Sequence, residues 1–241
     1  MESLSGKVIL VTGGAQGLGK AISASLAEAG ATVVIGDIQV ERAQRTVSEL
    51  IGKGGKVSFR KLDLSSEQSV EQIISEIKSE HGRIDVLINN AGIDFTKSIL
   101  DLTVSEWDAA MNVNLRGPFL TSKFVFPIMA AQKSGHIINI VSTAALRAWT
   151  EASVYHATKW GLRGFTQALF TEARKFGIKV TALIAGGMRT PFLLDRFPDI
   201  PPQNLQDPEN VAYRIKQLLE DTTDSVVPEI MVIPMMETSW P

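Results

Sequence analysis

The chain has 241 residues, of which 44% are hydrophobic and 21% are charged, and its formal net charge is −2. This length and composition fit one α/β domain covering residues 1–241, while the small charge speaks against a surface for nucleic acid or an acidic membrane. The chain contains no cysteine, which excludes disulfides, thiol catalysis and thiolate metal sites, so no metal is predicted.

The N-terminal segment predicts a strand and not a secretory signal. Its apolar run covers only residues 8–11 and no charged region precedes it, whereas a signal peptide needs a longer apolar core. No apolar stretch of the chain reaches the roughly 18 residues that a membrane span needs. We therefore expect a cytoplasmic protein that does not bind membranes.

Short β-branched apolar runs alternate with longer amphipathic runs along the whole chain. The predicted strands cover residues 7–11, 32–35, 56–61, 86–88, 136–141, 179–183 and 231–233. The predicted helices cover residues 18–29, 40–53, 66–80, 104–131, 152–176 and 208–219. Apolar strands separated by helices indicate a parallel sheet covered on both faces. The pattern predicts a Rossmann-type, doubly wound α/β domain with a mainly seven-stranded parallel sheet.

Chemical signatures mark three of the predicted helix starts. Two pairs of residues fit the capping box, in which a hydroxyl is followed three residues later by a carboxyl or amide: Ser65 with Gln68, and Thr103 with Glu106. Asp207 is predicted to be an N-cap because a proline follows it at the first helical position.

A glycine-rich turn joins the first predicted strand to the first predicted helix. Its sequence, TGGAQGLG, places Gly13, Gln16, Gly17, Leu18 and Gly19 at the helix start. Glycine lets the backbone approach a pyrophosphate closely, and the unpaired N–H groups of a helix N-terminus attract phosphate. The turn therefore predicts a dinucleotide site, although its spacing is GxxxGxG and not GxGxxG.

The acid at the end of the second strand predicts which dinucleotide binds. Asp37 lies 20 residues beyond Gly17, where a carboxylate bonds the adenosine ribose hydroxyls. A 2′-phosphate at about 5 Å would be repelled by roughly 3 kcal/mol, or about a hundredfold in affinity. No arginine or lysine stands at positions 14 or 38 to offset this charge. We therefore predict NAD (NADH) in preference to NADP.

Two further strand ends supply candidate cofactor residues. Asp63 and Leu64 follow the third strand, where Asp63 either bonds the adenine or starts a turn. Asn90, Ala91 and Gly92 follow the fourth strand, at the edge of the sheet where parallel strands end together. For Asn90 we favour a structural role, in which its amide fixes this turn against the glycine-rich turn.

A phenol and an ammonium group share one face of a predicted helix. Tyr155 and Lys159 are four residues apart, a spacing that brings side chains together on a helix. A cation about 4 Å from the phenolate stabilises it by roughly 4 kcal/mol, which would lower the tyrosine pKa by about three units. Such a tyrosine exchanges protons near neutral pH. The spacing alone also fits an exposed surface pair.

These motifs together resemble the classical short-chain dehydrogenase/reductase family. They occur in order along nearly the whole chain: TGGAQGLG, Asp37, NNAG, Asn114, Ser142 and the Tyr155–Lys159 pair. The resemblance implies that Tyr155 is the acid/base, Ser142 orients the carbonyl, Lys159 bonds the nicotinamide ribose, and Asn114 holds a proton-relaying water.

The same resemblance assigns the segment after the sixth strand, with one departure. It implies that Gly186, Met188 and Thr190 contact the cofactor, with Thr190 on the nicotinamide carboxamide. Ala185 stands where the family usually has proline, and a second glycine, Gly187, follows. Without the proline ring the backbone is freer, so the turn is expected to be looser or differently shaped toward the substrate.

The predicted reaction is reversible hydride transfer between NAD and a secondary alcohol or ketone. Predicted substrate contacts are Ser142, Ala144, Trp149, Tyr155, Gly187 and Phe192, with Asp94, Phe95, Leu193 and Phe197 as further walls and residues 188–207 as the substrate loop. Arg147 and Arg189 either bind a substrate anion or form surface salt bridges; we favour the salt bridges. These aromatic walls suggest an apolar small-molecule substrate.

The sequence also fits three other functions to different degrees, and it suggests an oligomeric state. A 3-oxoacyl thioester (acyl-carrier-protein) reductase is the first alternative, and an NAD-binding regulatory or scaffold protein without catalysis is the second. A sugar-nucleotide epimerase is disfavoured, because it usually needs an added substrate domain. The resemblance implies a homotetramer or homodimer through the two long helices, and the apolar tail, residues 233–240, is predicted to dock on a partner.

Overall fold

The computed structural model describes residues 4–237. Its strands are β1 (Val8–Thr12), β2 (Thr32–Asp37), β3 (Lys56–Lys61), β4 (Val86–Asn89), β5 (Gly135–Ser142), β6 (Ile178–Ala185) and β7 (Glu229–Val232). Its helices are α1 (Gly17–Glu28), α2 (Val40–Gly52), α3 (Glu67–His81), α4 (Val104–Met111), α5 (Gly117–Gln132), α6 (Ser153–Ala173), α7 (Pro191–Leu194) and α8 (Pro208–Glu220). All seven predicted strands are present, and the predicted α/β fold class is confirmed.

The seven strands form one parallel sheet in the order β3-β2-β1-β4-β5-β6-β7. Side chains of β1 alternate between two hydrophobic cores, with Ile9 and Val11 in one and Val8 and Leu10 in the other. The first core lies under α1, α2 and α8, and the second under α3, α5 and α6. The strand order reverses at β1, which makes the carboxyl ends of β1 and β4 the expected ligand crevice.

The helix starts bear out two of the three predictions. Thr103 and Glu106 form a complete capping box at α4, and Asp207 is the N-cap of α8 with proline at its first position. The box predicted at Ser65 is wrong, because Ser66 is the N-cap of α3 and accepts from the Ser69 N–H. The Ser65 hydroxyl instead donates to Asp63.

The predicted helix over residues 104–131 is interrupted. A π-helical turn, Asn112–Arg116, separates α4 from α5. The apolar pattern continues through this turn, so periodicity alone does not reveal it. π-turns often lie at functional sites, and this one carries Asn114, which is fully buried.

The predicted substrate loop, residues 188–207, contains two short helical segments. These are α7 and a single 3-10 turn, Pro202–Asn204. The Arg189 guanidinium fastens the segment by bonding Asp207 and the carbonyls of Pro202 and Leu205. The favoured salt-bridge reading of Arg189 therefore holds.

His136 on β5 makes the stability of the fold depend on pH. The ring is almost fully buried, its Nε2 lies 2.8 Å from the Thr181 hydroxyl, and burial lowers the pKa of His136 to about 3. Because the unfolded chain binds this proton near pH 6.5, the stabilisation is present above that pH and is lost as the pH falls toward 3.

We expect the free energy of unfolding to fall by about 2 kcal/mol from pH 7 to pH 5 through this residue. Urea unfolding at the two pH values measures it, and His136→Gln should remove most of the difference. His81→Gln, which alters a histidine beside the surface carboxylate of Glu80, is the control. An equal pH dependence in His136→Gln and the wild type would exclude this residue as the cause.

Between residues 4 and 237, no helix combines the length and the apolar character needed to cross a membrane. Within the same part of the chain, no cluster of three or more His, Asp or Glu side chains is placed to hold a metal ion. The predicted docking tail is described as far as Glu237, and its residues Thr238, Ser239 and Trp240 lie outside the described part.

Candidate active site

A cavity of about 1130 Å³ opens at the carboxyl ends of the central strands. It is lined by every residue predicted to bind the cofactor: Gly13, Gln16, Gly17, Leu18, Gly19, Asp37, Asp63, Leu64, Asn90, Ala91, Gly92, Tyr155, Lys159, Gly186, Met188 and Thr190. Residues that are far apart in sequence thus meet in one elongated space. This space leads from the glycine-rich turn to the side chains of Ser142 and Tyr155.

The glycine-rich turn is packed too closely for any side chain at two of its glycines. A Cβ at Gly19 would lie 2.0 Å from the Gly13 carbonyl oxygen, and a Cβ at Gly13 would lie 2.8 Å from the Ala91 Cα. Asn90 donates to the carbonyls of Thr12 and Gly13, which confirms its predicted structural role. These contacts hold the turn open at the start of α1, and the arrangement fits a dinucleotide pyrophosphate.

Asp37 joins the end of β2 to the glycine-rich turn. Its carboxylate accepts from the Ala15 N–H at 3.0 Å and from the Gln39 N–H at 2.9 Å, and it is buried. The negative charge therefore has a fixed position beside the glycine-rich turn, at the end of the cavity where the adenosine is predicted to bind. Of the two roles predicted for Asp63, the structure shows the start of a turn, because its carboxylate accepts from the Ser65 N–H and hydroxyl.

Arg42 was missed by the sequence reasoning. It lies in the first turn of α2, and its guanidinium donates to the side-chain oxygen of Gln16 in the glycine-rich turn. A cation therefore stands near the adenosine end of the cavity together with Asp37. The signal was present in the sequence, because the first turn of a helix that directly follows β2 faces the same strand end as Asp37.

Tyr155 and Ser142 meet at the other end of the cavity. The phenol of Tyr155 is a hydrogen-bond partner of the Ser142 hydroxyl, and that hydroxyl also accepts from the Ala144 N–H. Burial raises the pKa of Tyr155 to about 12, and the bond to Ser142 opposes the rise. The expectation of a lowered pKa is therefore wrong for this structure, because loss of solvation outweighs the favourable contacts.

Lys159 lies next to the Tyr155 ring and is fixed by the backbone of β5. Its Nζ is 5.6 Å from the centre of the Tyr155 ring and donates to the Ile140 carbonyl at 2.8 Å. Burial lowers the pKa of Lys159 to about 8. The i, i+4 spacing places both groups on one face of α6, while the β5 carbonyl fixes the ammonium.

Asn114 lies behind the cavity and does not line it. Its side chain accepts from the Ile93 N–H and donates to the Ile93 carbonyl and to the Thr158 hydroxyl. It therefore fastens the turn after β4 to α6, one position away from Lys159. Its part in a proton relay stays a prediction.

The substrate end matches most of the predicted contacts. Cavity walls there include Ser142, Trp149, Gly187, Phe192, Leu193, Phe197 and Asp94. Ala144 is a correction, because it is fully buried and bonds His156 through its carbonyl. Phe95 is also absent from the cavity lining, although its neighbours Asp94 and Thr96 both line the cavity.

Two residues of the substrate end were not predicted. Arg196 follows α7 and lines the cavity. The signal in the sequence was its position four residues after Phe192, which was predicted as a substrate contact. Glu237, beyond β7, also lines the cavity and accepts from the Gly187 N–H at 3.3 Å. No periodicity follows β7, so nothing in the sequence pointed to Glu237.

Comparison with known sequences decides the family. A sequence profile described as short chain dehydrogenase matches residues 7–200. The chain belongs to the short-chain dehydrogenase family. It is therefore an oxidoreductase of this family, and the resemblance inferred from the motifs is confirmed.

Proteins similar to this short-chain dehydrogenase are named for different activities. It is 34% identical over 239 residues to the 3-oxoacyl-[acyl-carrier-protein] reductase FabG of Thermotoga maritima, covering 95% of this chain and 97% of that protein. A metagenomic short-chain oxidoreductase solved in complex with NADP shares 31% identity with a TM-score of 0.87, covering 97% and 99% of the two chains. Levodione reductase shares 27% identity with a TM-score of 0.90, covering 97% and 98%.

Proposed function

We propose that this enzyme is an NAD(H)-dependent oxidoreductase that interconverts a secondary alcohol and a ketone. The observation that carries the proposal is the set of Ser142, Tyr155 and the buried Lys159, which line one end of a cavity together. The other end of that cavity is the glycine-rich turn with Asp37. Family membership supports a nicotinamide cofactor and a small-molecule substrate.

The side chains divide the proton chemistry between them. NADH would supply the hydride to the carbonyl carbon. Tyr155 is protonated at neutral pH, because burial raises its pKa to about 12, so it is ready to donate a proton to the carbonyl oxygen during reduction. Ser142 bonds the same oxygen and polarises it, and Lys159 is held by Ile140 where it stabilises the phenolate left behind.

The preference for NAD depends on the balance between Asp37 and Arg42. The Asp37 carboxylate is buried and fixed by two backbone N–H groups, so it repels a 2′-phosphate from a set position. Arg42 donates to Gln16 and would have to leave that bond to pair with the phosphate. The similar metagenomic oxidoreductase was solved in complex with NADP, so the preference of this enzyme for NAD over NADP is one of the quantities that the experiment below measures.

A second candidate activity is the reduction of a 3-oxoacyl thioester on an acyl carrier protein. The specific observation in its favour is the 34% identity to the 3-oxoacyl-[acyl-carrier-protein] reductase FabG of Thermotoga maritima over 95% of this chain. Asp37 favours the first candidate, the NAD(H)-dependent oxidoreductase, because its carboxylate repels the 2′-phosphate of NADP. The apolar walls of Trp149, Phe192 and Leu193 fit a compact ketone as well as an acyl chain.

The proposal is tested by following NADH and NADPH oxidation with a panel of ketones and one 3-oxoacyl thioester. We expect turnover of at least one apolar ketone, faster with NADH than with NADPH. Turnover of the thioester alone would favour the second candidate. NADH binding without turnover of any compound would contradict both and favour a non-catalytic NAD-binding protein.

Assembly and location complete the proposal. We propose that residues 1–241 act as one catalytic domain, with 188–207 as the substrate loop, and that the chain forms a homotetramer or homodimer. Support for assembly comes from Phe119 on α5 and Trp160 on α6, whose side chains are half-exposed on the outer face. A location in the cytoplasm stays a prediction.

A further inference from the structure

An ion pair is built into the substrate end of the cavity. Arg196, just after α7, places its Nη1 3.0 Å from the Asp94 Oδ2. Their side chains are 21% and 8% exposed, and both residues line the cavity. The pair thus joins the turn after β4 to the substrate loop across 102 positions of sequence. This partly buried pair is therefore part of the cavity wall.

The ion pair lies next to the reacting groups. The Arg196 guanidinium stacks on Phe192 at 4.1 Å from the ring centre, and the Phe192 ring centre lies 6.0 Å from that of Tyr155. Both charges also act on the phenol, since Asp94 raises and Arg196 lowers the pKa of Tyr155. Any substrate that reaches Tyr155 therefore approaches within the field of this pair.

Asp94 removes the attraction that Arg196 would exert on an anion. The Arg196 Nε and the Asp94 Oδ1 have no hydrogen-bond partner. The counter-charge of each side chain therefore comes mainly from the other. A largely buried guanidinium without a counter-charge is costly, so it would accept a carboxylate from a ligand. Glu237 places another carboxylate beside Gly187 at this end, and Arg189 is paired with Asp207 away from the cavity wall.

We propose that Asp94 determines substrate specificity, and that by pairing with Arg196 it makes the site select uncharged ketones and alcohols over analogues that carry a carboxylate. This inference rests on the proposed function and adds the substrate class. Specificity here is a difference between two affinities, and Asp94 lowers that of the anionic competitor.

The test compares an uncharged ketone with its acid, using ethyl acetoacetate and acetoacetate with NADH. The measured quantity is the ratio of kcat/KM for the ester to kcat/KM for the acid. We expect the wild type to prefer the ester and Asp94→Asn to lower the ratio by roughly tenfold or more. Arg196→Gln should leave the ratio at or above the wild-type value, and the double variant should return it close to wild type.

A matched control lies on the same loop. Asp207→Asn removes the counter-charge of Arg189, which keeps its bonds to the carbonyls of Pro202 and Leu205 and is outside the cavity lining, and should leave the ratio unchanged. Thermal unfolding of each variant separates specificity from folding. If Asp94→Asn does not fold, Arg196→Gln carries the test, and a lowered ratio in that variant would overturn the proposal.

The failure of this inference differs from the failure of the proposed function. A wild type that turns over no ketone of the panel contradicts the function itself. A wild type that prefers acetoacetate, or a folded Asp94→Asn variant with an unchanged ratio, contradicts only the role of Asp94. If other ketones react but neither probe does, ester and acid are compared as competitive inhibitors of the best ketone, with the same expected ratios.

Discussion

Replacing Tyr155 with phenylalanine is expected to lower ketone turnover roughly a thousandfold, in the range lost with a positioned acid/base. In the proposed mechanism the phenol donates the proton to the ketone, and burial raises its pKa to about 12, so it holds its proton at neutral pH. Phenylalanine keeps the ring that packs near Phe192 but removes the hydroxyl. Steady-state rates with NADH and the best ketone of the panel measure the loss.

The same variant should bind NADH within about twofold of the wild type, because the glycine-rich turn and Asp37 are untouched. Tyr213→Phe is the matched control, since Tyr213 is the other tyrosine of the chain and lies half-exposed on α8. Its turnover should equal that of the wild type. Near-normal turnover in Tyr155→Phe would remove the phenol from the reaction.

Replacing Asp37 with asparagine is expected to lower the preference for NADH over NADPH by up to about a hundredfold. The estimate follows from the roughly 3 kcal/mol repulsion between two charges about 5 Å apart at an effective dielectric constant near 20. Asparagine keeps the shape of the side chain but leaves one of the N–H groups of Ala15 and Gln39 poorly paired. That structural loss weakens both cofactors equally, so the ratio of their kcat/KM values isolates the charge.

Arg42→Gln is the complementary variant. It removes the cation that donates to Gln16 and should weaken NADPH further while changing NADH little. The account is contradicted if the wild type already prefers NADPH and Arg42→Gln loses most of the NADPH activity. Arg42, and not Asp37, would then determine which cofactor binds.

The sequence was sufficient for those features that depend on local spacing. Strand and helix alternation predicted the parallel sheet, and the glycine-rich turn lies where the motif placed it, with Gly19 too close to Gly13 for a side chain. The four-residue spacing placed Tyr155 and Lys159 on one face of α6. Each of these follows from the geometry of a single strand, turn or helix.

Features that depend on burial or on distant partners were not predictable. The raised pKa of Tyr155 results from loss of solvent, which no local pattern reports. Asp94 and Arg196 meet only because the turn after β4 and the substrate loop cover the same cavity. The π-turn around Asn114 inserts no break in the apolar pattern. Ala144 was placed at the wall by its nearness to Ser142, although its own atoms are fully buried.

The most direct test of hydride transfer in this site is isotopic. The wild type is supplied with NADH that carries deuterium in place of both hydrogens at C4 of the nicotinamide ring and with the ketone that it reduces fastest, and the product is analysed by mass spectrometry. We predict an alcohol with one deuterium on the carbinol carbon. Hydride transfer in this site would be contradicted if NADH were oxidised but the alcohol carried no deuterium, or if no ketone gave an alcohol.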